Sequence, residues 1–258
     1  MVDKVVVVTG GAAGIGRAAV ELFAERGFGV VALDVSEAGL ADLARIDNVV
    51  PLLGDAADEE ANRALVALAL EHFGRLDVAL LNAGIGGAPA IEQEGSVERF
   101  ERLLAVNATG VARGIRAAVP ALRASGGGSI VVTSSVSALA ADPSTWAYNA
   151  SKAAAVNLVR AAALDYAAQG IRVNAVAAGL TDTSRTAGHQ DDTEFYAELL
   201  RRIPVHRPAL PREQAEAIWF LASPAASYIT GSVLSVDGGL GASTGLLPPP
   251  PLPAGPQA

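Results

Sequence analysis

The sequence predicts a single-domain α/β fold built on a doubly wound parallel sheet. Three observations carry that reading. Short β-branched runs alternate with longer Ala/Leu/Glu/Arg runs along the whole chain, the order expected of repeated β-α units. The strand candidates are continuously apolar, which suits a parallel sheet covered on both faces. A glycine-rich turn joins the first strand candidate to the first helix candidate. The length of 258 residues suits one large domain, and 51% hydrophobic residues supply its core. With only 18% charged residues, disorder over most of the chain is excluded.

The elements follow in order. Val5–Val8 is a strand of four valines, and Ile15–Arg26 is a helix opening straight after the glycines. Gly29–Leu33 is the second strand, Glu37–Arg45 is helical and Val49–Leu53 is extended. Glu59–Phe73 is a helix with Leu65, Leu68 and Phe73 among its apolar positions. Val78–Leu81 is a strand, Val97–Leu122 one long helical region and Ser129–Thr133 the next strand. Trp146–Gln169 is Ala-rich and strongly helical. Arg172–Val176 is a strand, Arg212–Leu221 a helix and Ser232–Val236 the last strand. No internal repeat or interdomain linker interrupts this pattern. The catalytic domain is expected over 1–241. Over 242–258 a proline-rich, flexible tail is expected, with Leu246–Ala258 polyproline-like or disordered.

Composition excludes several classes. Asp+Glu total 27 against 19 Lys+Arg, a net charge of -8, so attraction to phosphate backbones is not expected and nucleic acid is excluded as a partner. Cysteine is absent, which excludes disulfides, thiolate metal sites and cysteine nucleophiles. His72, His189 and His206 have no ligand spacing, and no metal is expected. The N-terminal apolar run is too short for a signal sequence, and no stretch approaches a membrane span. The expectation is a cytoplasmic protein.

Thr9-Gly10-Gly11-Ala12-Ala13-Gly14-Ile15-Gly16 lies between strand and helix, the context in which a glycine pattern carries meaning. The glycines permit a tight turn and close approach of backbone to a pyrophosphate, which the helix N-terminus attracts. Asp34 ends the second strand, eighteen positions after Gly16. A carboxylate there accepts hydrogen bonds from an adenosine ribose and repels a 2′-phosphate. Ala13 and Val35 are not basic, so NAD(H) is expected over NADP(H). Asp55, followed by Ala56, is expected to bond the adenine edge.

Tyr148-Asn149-Ala150-Ser151-Lys152 places a phenol and an ammonium on one helix face. A nearby ammonium favours the phenolate of a group whose free pKa is ~10.

With these residues in hand, the chain resembles the short-chain dehydrogenase/reductase family in its single-domain form. The resemblance spans Lys4 to roughly Gly241. The family's Thr-Gly-x-x-x-Gly-x-Gly matches at Thr9, Gly10, Gly14 and Gly16, and its Asn-Ala-Gly at Asn82, Ala83 and Gly84. Its helix asparagine matches Asn107, its serine, thirteen before the tyrosine, matches Ser135, and its Tyr-x-x-x-Lys pair matches Tyr148 and Lys152. Ile229-Thr230-Gly231 and Val236-Asp237-Gly238-Gly239 also look like this family. Two positions depart from the pattern. Leu81 replaces an asparagine before Asn-Ala-Gly, and Ala178 replaces a proline before Gly179. The second exchange gives up proline's fixed φ, so a looser loop is expected there.

The resemblance implies a Rossmann fold and an NAD(H)-dependent exchange between a secondary alcohol and a ketone. Tyr148 is implied as proton donor or base. Lys152 lowers the tyrosine's pKa and holds the nicotinamide ribose. Ser135 donates to the substrate oxygen, and Asn107 positions a water near Lys152. Gly179, Thr181 and Thr183 join the cofactor contacts, and 180–210 is implied as a lid. Around the carboxyl ends of the strands, Ser137, Leu139, Trp146 and Leu180 join Ser135 and Tyr148 as substrate contacts. That lining is mostly apolar, with Arg185 the nearest exception, so an uncharged hydrophobic or cyclic small-molecule alcohol or ketone is expected. The family also implies a homotetramer or homodimer joined through Val97–Leu122 and Ser151–Gln169. Two further enzyme classes on this pattern, a 3-oxoacyl-(carrier protein or CoA) reductase and a Rossmann-like methyltransferase, are less consistent with Asp34 and with the Tyr-Lys pair. A non-catalytic NAD sensor would have no need to retain Ser135, Tyr148 and Lys152 together.

Overall fold

The computed structural model describes residues 2–244 and 247–250. Most of the expected proline-rich tail lies outside the described residues. Within it, the Pro250 carbonyl lies 2.9 Å from His206 Nε2.

Seven parallel strands form one sheet in the order β3-β2-β1-β4-β5-β6-β7. They are β1 (Val5–Thr9), β2 (Gly29–Asp34), β3 (Val49–Leu53), β4 (Val78–Leu81), β5 (Gly128–Ser135), β6 (Ile171–Ala178) and β7 (Val233–Val236). The order reverses between β1 and β4, which opens a crevice at the carboxyl ends of those two strands. Continuous apolarity has the expected cause. Val5 and Val7 face one core together with Val31, Leu81 and Ile130, while Val6 and Val8 face a second with Val30, Leu80 and Val131.

The helices divide between those two cores. The first core takes α3 (Glu59–Phe73), α5 (Gly110–Ala124) and α6 (Trp146–Tyr166), through Leu65, Ile115, Leu122 and Val159 among others. The second takes α1 (Gly14–Glu25), α2 (Glu37–Leu43) and α8 (Pro211–Ala222), through Leu22, Phe23, Leu40, Leu43 and Ile218. The helix boundaries have local causes. Ser36 caps α2 by accepting the Gly39 amide at 3.2 Å. α3 carries Glu59 and Glu60 in its first turn and stops at left-handed Gly74. Pro211 opens α8, where its missing N–H costs nothing. α7 (Thr193–Arg202), in the lid segment, is capped by Asp192, which accepts the Phe195 amide.

Several boundaries differ from expectation. β5 and β6 run past Thr133 and Val176 to Ser135 and Ala178, which pair across the sheet. The long helical region divides into α4 (Ser96–Leu104), a π turn at Ala105–Thr109 and α5. One extra residue per turn leaves the apolar spacing on either side readable as a single helix, so periodicity alone did not show it. α6 ends at Tyr166 and continues as a 3₁₀ turn, Ala167–Gln169.

Leu81 is buried at the end of β4, and its side chain occupies the space that a methyl group on Gly114 would need. At the other end of the sheet, a Cβ on Gly128 would lie 2.4 Å from the Asp77 carbonyl. Gly128→Ala should therefore destabilise the fold by about 1–3 kcal/mol. Urea unfolding of the variant checks this, and an unshifted midpoint would mean the backbone yields freely at that contact.

Candidate active site

The nucleotide end is built by the β1-α1 turn. Gly10 and Gly14 both have positive φ, +67° and +53°, a region that glycine enters without Cβ strain. A Cβ on Gly16 would sit 1.9 Å from the Gly10 carbonyl, so only glycine lets the helix start this close. Ala13 at the N-cap offers no side-chain cap, and the first turn of α1 holds no acidic residue. With Ile15 in that turn, the backbone amides and the positive helix end are left to an anion. This cradle fits the pyrophosphate of a dinucleotide.

Asp34 has two local partners. Its carboxylate accepts the Ala12 amide at 2.9 Å and the Ser36 amide at 2.9 Å. It thus ties the glycine turn to the end of β2, with lone pairs left over for a ribose. Val35 beside it is 67% exposed and offers no charge. Asp55 accepts the Ala57 amide and pairs with Arg102. Its partial burial acts to raise its pKa, but the Ala57 amide and Arg102 outweigh that and hold it below the usual carboxylate range. Ala56 is buried, and its carbonyl accepts from Asn62. Asn82 is architectural. Its side chain donates to the Thr9 and Gly10 carbonyls, while the amides of Asn82 and Ala83 donate to Thr9 Oγ1.

A second cluster of predicted site residues forms where α6 packs on the carboxyl end of β5. Lys152 is 3% exposed, and its ammonium donates to the Thr133 carbonyl at 2.8 Å. It lies 5.9 Å from the Tyr148 ring centroid, one turn earlier on the same face. A Cβ on Gly84 would meet Lys152 Nζ at 3.0 Å, so the absence of a side chain there makes room for the ammonium. Burial, with the Arg185 charge adding to it, pushes the Lys152 pKa down to about 7.

Asn107 sits in the π turn and is fully buried. Its Nδ2 donates to the Ile85 carbonyl and to Ser151 Oγ, both at 2.9 Å, and its Oδ1 accepts the Ile85 amide at 2.8 Å. It therefore clamps the loop after β4 against α6. Ser135, at the end of β5, accepts the Ser137 amide and donates to Ser137 Oγ at 3.1 Å. Ser137 in turn donates to Asp142 at 2.6 Å.

The remaining predicted contacts divide into wall and scaffold. Trp146 is half-buried against Phe100, and its indole donates to the Pro89 carbonyl at 3.0 Å. Leu139 is 49% exposed at the cleft margin. Gly179 donates to the Val236 carbonyl, and Leu180 accepts the Ala209 amide. Thr181 is buried, donates to the Gly179 carbonyl and accepts from Gln214. These bonds tie the loop after β6, beside Ala178, to β7 and α8. Thr183 overhangs the phosphate cradle, 3.1 Å from where a Gly14 Cβ would be.

Sequence reasoning missed Ser151, Thr133 and Asp142, whose roles depend on which loops meet. It also missed Arg99, which donates to the Gly86 and Gly87 carbonyls at 2.6 and 2.7 Å. Two concavities lie away from these groups. One of about 510 Å³ borders Phe195 and Glu198 on α7, and one of about 250 Å³ borders Arg172 and Trp219 at the amino ends of the strands. No cluster of metal-ligating side chains occurs among the described residues. No helix among them is long and apolar enough to cross a membrane.

A family model described as enoyl-(acyl carrier protein) reductase matches residues 10–241. The chain is 43% identical to cis-4-hydroxycyclohexanecarboxylate dehydrogenase of Sinomonas cyclohexanicum over 242 residues, 92% of this chain and 96% of that one. It is 36% identical to cyclohexanol dehydrogenase of Acinetobacter sp. (strain SE19), covering 92% and 94% respectively. The crystal structure of 3-ketoacyl-(acyl-carrier-protein) reductase from Brucella melitensis complexed with NADH superposes with a TM-score of 0.86 at 32% identity, covering 93% of this chain and 99% of that one. With its nucleotide cradle, its buried lysine and the Ser135, Tyr148 and Asn107 positions around it, the chain belongs to the short-chain dehydrogenase/reductase family.

Proposed function

We propose that this protein interconverts a cyclic secondary alcohol and its ketone with NAD(H). The observation that carries this is the placement of Tyr148 beside the buried Lys152 ammonium at the mouth of the β1/β4 crevice. The cyclohexane rings named for two relatives support the choice of substrate.

When bound, the nicotinamide dinucleotide supplies the hydride acceptor or donor. Gly10, Gly14, Ile15 and Gly16 would hold its pyrophosphate, Asp34 and Val35 its adenosine ribose, and Asp55 and Ala56 its adenine side. Ala83, Gly84, Gly179, Thr181 and Thr183 would line its nicotinamide half. Asp34 favours NAD(H), because a 2′-phosphate there would face a carboxylate with no basic residue at Ala13 or Val35.

Tyr148 moves a proton at its phenolic oxygen, taking it in oxidation and giving it in reduction. Lys152 stabilises the phenolate when charged, and its low pKa lets it release a proton near neutrality. Ser135 turns its hydroxyl proton from Ser137 to the substrate oxygen and stabilises developing alkoxide character. Asn107 holds the Ile85 loop in place and orders a water beside Lys152. Ser137, Leu139, Trp146 and Leu180 shape the ring pocket.

The test is a rate assay of cyclohexanol and cyclohexanone with NAD(H) and NADP(H) in parallel, for the natural protein and Tyr148→Phe. Turnover at least tenfold better with NAD(H), reduced by about 10²–10⁴ in the variant, is expected. Preference for NADP(H) would refute the reading of Asp34. Retained turnover in Tyr148→Phe would refute its role.

Lys152 also links the fold to pH. An unfolded lysine keeps its proton up to about 10.4, whereas folded Lys152 releases it at about 7. Between those values the unfolded chain binds more protons, so stability rises with pH through that window; below it the folded state carries the whole cost of a buried charge. The urea midpoint should rise between pH 7 and pH 9, and Lys152→Met should remove that increment. An equal rise in the variant would assign the titration to another group.

Leu164 on α6 is 84% exposed and Val97 on α4 56% exposed. Both lie on the helices that would join copies into a homotetramer or homodimer. Light scattering should find an assembly, and Leu164→Glu should weaken it; a natural protein that scatters as a monomer would end that reading.

A further inference from the structure

The lid places one more charge at the reacting centre. Arg185 follows Thr183, which overhangs Gly14, and its guanidinium reaches across the crevice to donate to the Gly84 carbonyl. Gly84 is also the residue against which the Lys152 ammonium lies. The Arg185 charge is felt at Lys152, where it acts against protonation.

A guanidinium carries five N–H donors. Among the described residues, the other lid arginines face carboxylates: Arg201 and Arg202 pair with Glu198, and Arg207 with Glu213. Arg185 enters no ion pair among the described residues, and its partner is a neutral carbonyl. Two of the lid's own acids are engaged elsewhere. Asp192 caps α7, and Glu198 is taken by its two arginines.

Arg99 repeats the pattern from the opposite wall. It too lies outside the ion pairs, and it holds the Gly86 and Gly87 carbonyls. Gly86 is 3.7 Å, measured from an added Cβ, from the Tyr148 ring. Two carbonyls occupy Arg99, so it braces the loop, while Arg185 is exposed and keeps donors to spare. In a chain of net charge -8, Arg99, Arg185 and Lys152 thus gather on the loop after β4 with no carboxylate paired to any of them among the described residues, while Asp142 on the Ser137 side is taken up by the Ser137 hydroxyl. Such a mouth favours an anion, and a planar guanidinium favours a carboxylate held by two parallel hydrogen bonds.

We propose that Arg185 anchors a substrate carboxylate, so that the preferred substrate is a cyclic secondary alcohol bearing a carboxylate on the ring. This rests on the alcohol-ketone reading above, narrows it and replaces the expectation of an uncharged substrate. On closure the guanidinium exchanges the Gly84 carbonyl for the substrate carboxylate, which turns the hydroxyl-bearing carbon towards Tyr148.

The test compares cis-4-hydroxycyclohexanecarboxylate with its methyl ester at saturating NAD+, in the natural protein, Arg185→Gln and Arg185→Lys. The natural protein should prefer the acid by about 10- to 100-fold in kcat/KM, the range of a charge-assisted hydrogen-bonded pair. Arg185→Gln should bring that ratio close to one, chiefly through the KM of the acid, and Arg185→Lys should restore part of it. Equal rates on acid and ester in the natural protein would overturn the proposal. So would an equal loss on both, or a rise confined to the KM of NAD+, which would assign Arg185 to the cofactor phosphates.

Calorimetry with unreactive cyclohexanecarboxylate and cyclohexanecarboxamide, added to the protein with NADH, reads the anchor without turnover. Tighter binding of the carboxylate that disappears in Arg185→Gln supports the anchor even if no alcohol is oxidised, in which case it is the alcohol-ketone reading that fails. Equal binding of the two compounds overturns the anchor.

Discussion

The Lys152 ammonium is withdrawn from water almost completely, and it donates to one neutral carbonyl, that of Thr133. Taking a charge out of water is expensive unless polar groups replace the hydration shell. Much of the local structure serves that single group. β5 extends past Thr133, so that carbonyl is presented at the edge of the sheet. Gly84 has no side chain to occupy the space above Nζ. Ser134 donates to the Lys152 carbonyl at 3.3 Å and fixes α6 against the strand. The cost of burial pushes the lysine's pKa down to about 7, one helical turn from the Tyr148 ring.

The π turn is the second constraint. Inserting one residue between α4 and α5 turns Asn107 inward, where both ends of its amide are used. Asparagine is a poor helix former because its side chain competes for backbone groups, and here that competition ties two loops and a helix together. Through Ser151, which donates to the Tyr148 carbonyl at 2.9 Å, the clamp reaches the turn of α6 that carries Tyr148 and Lys152. π turns are rare and concentrate at functional sites, and this one bonds through Asn107 to Ser151, the neighbour of Lys152 on α6.

Much of this was legible in advance, for identifiable reasons. Continuous valine runs marked the strands because a parallel sheet has no wet face. The spacing of Gly10, Gly14 and Gly16 was legible because positive φ and close backbone approach leave few alternatives to glycine. Tyr148 and Lys152 were legible because four residues along a helix return to the same face. Ser135 needed the family resemblance, since a serine at a strand end is otherwise an ordinary cap. Asp34 and Asp55 were found as positions, but their present partners, the Ala12 and Ser36 amides and Arg102, were not.

The sequence by itself determined the sheet, the glycine cradle and the shared face of Tyr148 and Lys152, because each depends on local conformation or on periodicity within one element. Tertiary structure alone decided which carbonyl receives Lys152, which loops Asn107 joins, and that Arg99 and Arg185 meet the loop after β4 from opposite walls. These contacts link residues separated by 12 to 101 positions. The partner of a charge depends on which loops the sheet gathers at its carboxyl edge, and spacing along the chain carries no record of that.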